Sequence, residues 1–185
     1  MKHLVETLIE QETVAQGKFL QLRRDKVSLP NGNIAWREYI EHPGAVAMVA
    51  LTADGHIVLE RQYRHPCRAV FIEVPAGKLD KDEAPLLAAA RELKEETGYH
   101  AATWQHLADI PLCIGYSNEI LHYYLATDLT LGERELDEGE FLDVFTVPLK
   151  EALAMSLDGR ITDAKTIVAL HLAQGHLAQA HFSKP

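Results

Sequence analysis

Several absences narrow what this chain can do. It has only two cysteines in 185 residues, Cys67 and Cys113, and neither belongs to a CxxC pair. A disulfide framework is therefore not expected. It also lacks a basic run: Lys and Arg number 18 against 27 Asp and Glu, a formal charge of −9. So acidic a chain is ill suited to tracking a phosphate backbone, and no nucleic acid partner is expected. A small polyphosphate held through metal ions is still compatible with that charge. Long apolar runs are missing too. Stretches such as AVAMVAL at 45–51 are far too short to cross a bilayer, so no membrane partner is expected. The opening MKHLVETLIEQ carries acids where a signal peptide needs an apolar core, and the expected location is cytoplasmic. Ten histidines are present, yet no HExxH and no Cys/His cluster. His171, His176 and His181 fall five apart, a step of about 140° that scatters them around a helix. No internal repeat or low-complexity linker interrupts the chain.

What is present is strand-like alternation followed by one strong helix. Residues 1–10 are expected to form a short helix. From Glu12 to Tyr39 the pattern is β: FLQLRRDKVSL, a turn at Pro30-Asn31-Gly32-Asn33, then IAWREYI. The Asn-Gly pair is a strong hairpin signal. A second hairpin in the main sheet is expected from AVAMVALT, a turn at Asp54-Gly55, and HIVLERQYR. The clearest helix runs from Asp82 to Thr97. It has an acidic start, Pro85 in the first turn, apolar Leu86, Leu87, Ala90 and Leu93, and Gly98 as its stop. Strand-like WQHLADIPL, ILHYYLATDL and FLDVFTVPL follow, and the segment from Asp163 to Ala180 reads as helical. The fold class is α+β, with enough chain for a real core.

The end of the helix at 82–97 reads RELKEETGY, residues 91–99. Glu92, Glu95 and Glu96 lean toward one face, with Glu96 about 40° and Glu95 about 60° around the helix from Glu92. Like charges so placed weaken a helix by roughly 0.2–0.5 kcal/mol per pair, and carboxylates in a last turn also oppose the macrodipole. Either a solvated face balanced by Arg91 and Lys94 or a bound cation offsets this. Three hard oxygen donors on one turn suit Mg²⁺, or Mn²⁺ in its place. Arg91, four residues before Glu95, is placed to orient it.

Counting outward, Gly77 precedes Glu83 by six positions, and seven residues separate Glu83 from Arg91-Glu92. With Leu93, Glu95, Glu96, Gly98 and Tyr99, this spaced pattern resembles the box of the Nudix hydrolases. The wider chain, through HPGAVAMVAL, LERQYRHP, EVPAGKLD, LDEGEFLDV and GRITDAKTIVAL, looks closest to the ADP-ribose pyrophosphatase branch. The resemblance implies a Nudix α/β/α sandwich with a mixed sheet at 46–185. Before it comes an N-terminal antiparallel β region at 1–45 that takes part in a homodimer and in substrate binding. It implies a cation held by Glu92, Glu95, Glu96, the Ala76 carbonyl and Glu140, with Glu138 as general base and Arg91 and Glu95 in the catalytic set. Arg64 would bind substrate phosphate. Trp36 would either stack an adenine or pack in the core, Glu73 would either contact the nucleoside or make a structural hydrogen bond, and Glu119 would join the substrate residues. The implied reaction is hydrolysis of a nucleoside diphosphate sugar, ADP-ribose foremost. GDP-mannose, or a non-catalytic nucleotide-binding module, is the alternative. The chain departs from the branch at Ile114, where a proline is expected.

Overall fold

The computed structural model of the chain describes residues 1–182, with side chains as far as Gln179, so the His181 side chain lies outside the described residues. The chain divides into two compact units, Met1–Gly44 with Pro111–Ile120, and Ala45–Ile110 with the segment from Leu121 onward.

The first unit is an antiparallel three-stranded sheet, β1 (Thr7–Gln16), β2 (Gln21–Ser28) and β3 (Ile34–Glu41), in that order. The β2–β3 hairpin turns where the Asn-Gly pair indicated, with Gly32 at φ 86°, a left-handed value that glycine adopts without strain. The amino terminus differs from expectation. Only Lys2–Leu4 form a short 3₁₀ turn, and from Thr7 the chain is strand. Ten residues make a marginal helix, whereas β1 gains a full ladder along β2 and a cross-strand ion pair, Arg24 to Glu12 at 2.8 Å. The segment 111–120 joins this unit through a parallel bridge between Ile40 and Ser117. The His42 N–H also donates to Asn118 Oδ1 at 2.8 Å.

The second unit contains β4 (Ala45–Ala50), β5 (His56–Arg64), β6 (Ala69–Glu73), β7 (Ala76–Lys78), α1 (Pro85–Thr97), β8 (Tyr99–Pro111), β9 (Ile120–Leu131), β10 (Leu142–Pro148), α2 (Leu149–Asp158) and α3 (Ala164–Phe182). A mixed sheet has the order β7-β4-β9-β8, and a three-stranded sheet the order β10-β5-β6. The expected β4–β5 hairpin is therefore not formed as a sheet pair. Apart from the single bridge Leu51 to Ile57, β4 lies parallel to β9 and β5 antiparallel to β10. Every residue of β4 is buried, and an all-apolar strand of that kind needs cover on both faces. Helices α1 and α3 both pack on it. The core around Val46, Met48 and Ala50 takes in Ala88, Ala89 and Leu93 of α1.

Helix α1 starts at Pro85 rather than Asp82. Asp82 sits at φ 63°, and Ala84 is extended, as a residue before proline is obliged to be. Gly98 ends the helix at φ 76°, as expected. Helix α2 is not foreseen by the sequence reading. Among the described residues no helix is long and apolar enough to cross a membrane.

Candidate active site

The last two turns of α1 face β7, the end of β5 and the loop 132–141 across a cavity of about 250 Å³. Its walls are Gln62 and Arg64 from β5, Ala76, Gly77 and Lys78 from β7, Arg91, Glu92, Glu95 and Glu96 from α1, and Asp137 and Glu140 from the loop. Most of the carboxylates named from the sequence thus meet in one place.

Arg91 is the organiser. Its Nε and Nη2 donate to the two oxygens of Glu83 at 2.9 and 2.8 Å, and its Nη1 donates to Glu92 at 2.9 Å and Glu95 at 3.0 Å. The guanidinium is thus the cation that offsets the crowded glutamates in this structure. It also explains the first glutamate of the spaced pattern, whose partner the sequence did not reveal. Lys94 plays no such part and pairs with Glu135 at 2.9 Å. Among the described residues no three His, Cys, Asp or Glu side chains already close around a common point.

Two contacts press the glutamates inward. A Cβ built on Gly77 would lie 1.8 Å from the Glu92 carboxyl carbon, so only glycine lets that carboxylate approach the turn. Glu96 is buried, and its Oε2 accepts the Ala76 N–H at 2.9 Å. Burial, then the carboxylates of Glu60 and Glu92, push Glu96 well above the usual carboxylate range. Burial likewise raises Glu92.

Arg64 is held from behind. It pairs with Glu73 through Nε and Nη2 at 2.8 and 2.7 Å, and Lys165 also contacts Glu73. Glu73 makes the structural hydrogen bonds that one of its two readings named. Its side chain is 2% exposed, and both oxygens are engaged. Although burial works against it, Arg64 and Lys165 hold Glu73 below its ordinary range.

Glu138 does not line this cavity. The Glu140 N–H donates to the Asp137 carbonyl at 3.0 Å, with Gly139 at φ 89°. That tight turn carries Glu138 outward to an exposed position, while Asp137 and Glu140 face the cavity. Trp36 is 49% exposed on β3, with Arg24 and Lys26 over its ring at 5.4 and 5.9 Å, so it is not a core residue. Trp36 and Glu119 both belong to the first unit, where Glu119 lies 3.7 Å from His42.

The chain matches the NUDIX domain over residues 41–170. The chain belongs to the Nudix family. Residues 6–40 of this Nudix hydrolase also match the Nucleoside diphosphate sugar hydrolase N-terminal domain. It is 42% identical to an ADP-ribose pyrophosphatase of Bacillus subtilis over 94% of this chain and 95% of the relative. It is 41% identical to a methanol dehydrogenase activator of Bacillus methanolicus, over 95% and 96%. Its fold matches the crystal structure of an ADP compounds hydrolase with a TM-score of 0.84, 27% identity and 95% coverage of both chains.

Nudix hydrolases require a divalent metal ion, and the cavity suits one. Its donors are hard oxygens, and beside it both oxygens of buried Glu60 lack any hydrogen-bond partner. This gives a testable pH dependence. Burial and neighbouring Glu73 push the Glu60 carboxyl up to about 7, and Glu96 is raised as well. An acid whose folded pKa exceeds its unfolded value costs nothing below the unfolded value, and destabilises the fold as pH climbs through the interval between them. In chelator, the melting temperature should fall by several degrees from pH 5.5 to pH 8, at roughly 2–4 °C per kcal/mol. Glu73 and Glu83, both lowered, lose their stabilising effect only below that window. A melting temperature in chelator that is flat or rises over this range contradicts the assignment.

Proposed function

We propose that this chain hydrolyses the pyrophosphate bond of a nucleoside diphosphate sugar in the cytoplasm, cutting ADP-ribose to AMP and ribose 5-phosphate. The observation that carries this is one cavity holding four glutamates of the box and loop together with an anchored arginine. A divalent ion, Mg²⁺ with Mn²⁺ as its substitute, would be held by Glu92, Glu95, Glu96, Glu140 and the Ala76 carbonyl, and supplies neutralisation of the diphosphate and acidification of water. Arg64 binds the diphosphate oxygens through its Nη1 edge, since Nε and Nη2 are occupied by Glu73. The attacking water adds to one phosphorus, the P–O–P bridge breaks, and the water proton passes to a loop carboxylate. Glu140, which lines the cavity, takes that proton, and Arg91 fixes Glu95 beside it. A nucleotide-binding module without chemistry would have no use for carboxylates buried at such electrostatic cost.

Trp36, half-exposed on β3, is assigned to the adenine, and Glu119 is assigned as a further substrate residue. We also propose a homodimer. All of β1 is exposed, including Leu8, Ile9 and Val14, and an uncovered edge strand favours pairing with a second copy. The mass of the particle in solution, by light scattering, tests it: twice 20.7 kDa is expected, and a 20.7 kDa particle overturns it.

The substrate is tested with ADP-ribose, GDP-mannose, NADH and diadenosine polyphosphates, each with Mg²⁺ and with Mn²⁺. ADP-ribose should give the highest kcat/KM. A higher value with GDP-mannose would transfer the assignment to that sugar. Replacement of the loop acids tests the base. Glu140→Gln should lower kcat by roughly 10²–10⁴-fold, and Glu138→Gln by much less. The reverse order would return the base role to Glu138.

A further inference from the structure

The face of β5 that reaches the cavity carries an acid that none of the chemistry above uses. Strand side chains alternate, so Glu60, Gln62 and Arg64 share one face. Gln62 and Arg64 line the cavity, and Glu60 lies one step deeper, directly opposite Glu73 in the β5–β6 ladder. Glu60 is 0% exposed, yet neither carboxylate oxygen has a hydrogen-bond partner, and the Gln62 side-chain oxygen beside it is likewise buried and unpartnered. Across from it, Arg64 and Lys165 are already committed to Glu73. Three buried acceptor oxygens on one strand face, with no donor, form an arrangement that proteins rarely leave unsatisfied.

We propose that Glu60 is a strand-borne member of the divalent-cation site, reaching the ion or a water bound to it, with the Gln62 oxygen as its companion. This extends the site beyond the helix and loop carboxylates, and it rests on the cation requirement of the reaction proposed above. A carboxylate and an amide oxygen are the hard ligands that Mg²⁺ and Mn²⁺ prefer. A protonated Glu60 that merely fills space is the competing account. It predicts metal binding unchanged by removal of the carboxylate, which the following experiment reads directly.

The test needs no substrate. Mn²⁺ is titrated into the full chain at pH 8, with free Mn²⁺ read by its paramagnetic resonance signal, for wild type and Glu60→Gln. The melting temperature is measured with and without Mn²⁺. Glu60→Gln should weaken Mn²⁺ binding by about 10–100-fold, the range known for groups that support a metal's ligands. It should also shrink the Mn²⁺-induced rise in melting temperature while leaving the metal-free protein at least as stable as wild type. Glu60→Asp keeps the charge but shortens the reach, and should weaken binding too; it serves in place of the glutamine variant if that one does not fold. Binding within twofold of wild type, with the full thermal rise, overturns the proposal. Because no nucleotide is present, that outcome is separable from a failure of the hydrolysis reading, which would appear as wild type that binds Mn²⁺ but releases no AMP.

Discussion

Glu96→Gln should lower kcat for ADP-ribose by roughly 10²–10³-fold, the loss typical when one preorganised charge-stabilising group is removed. It should not disturb the fold. Glu96 is buried on the inner face of α1, and its Oε2 takes the Ala76 N–H, a contact that an amide oxygen can keep. The substitution removes a charge that burial and Glu60 make costly, so metal-free protein at pH 8 should melt no lower than wild type. Activity and stability then move in opposite directions, which a core-damaging mutation cannot produce. Rate measurement with saturating Mg²⁺, beside a thermal melt in chelator, checks both. Near-wild-type turnover would remove Glu96 from the site.

Gly77→Ala should have a comparable effect by a different route. The added Cβ would fall 1.8 Å from the Glu92 carboxyl carbon and about as close to its oxygens. What it meets is the far end of a flexible side chain, so Glu92 swings aside and the backbone stays. The expected result is a folded protein with a melting temperature near that of wild type, and with kcat/KM reduced by about 100-fold or more because a carboxylate has left its place. Wild-type kinetics in this variant would show that the close approach of Glu92 to the turn is not needed. A large fall in stability would show instead that the helix, not the side chain, had moved.

The sequence made the box legible because its spacing is a geometric statement. Gly77, Glu83, Arg91, Glu92, Glu95 and Glu96 can meet only if a turn leads into a helix, and they do. The first hairpin was legible from Asn31-Gly32, whose turn geometry is local. Long-range pairing was not. AVAMVA reads as a strand, but nothing in it says that β9 rather than β5 will lie beside it. The segment 111–120, which carries Ile114 and Glu119, gave no sign that it would join the leader's sheet. Helix α2 was missed although Pro148 before it and Gly159 after it, at φ 85°, are ordinary boundary signals. Glu138 and Glu140 look equivalent in LDEGE, and only the turn at Gly139 separates them. Glu60 is the clearest case. In HIVLERQYR it is one more acid on a strand, and its meaning lies in burial without a partner, which no local pattern encodes.

The central claim is that these carboxylates hold a divalent cation for pyrophosphate hydrolysis, and the measurement closest to it is AMP release from ADP-ribose by chelator-treated wild-type protein as Mg²⁺ is added back. The account predicts no AMP above background in chelator and a saturable rise with Mg²⁺. Release of AMP at full rate in excess chelator would contradict it.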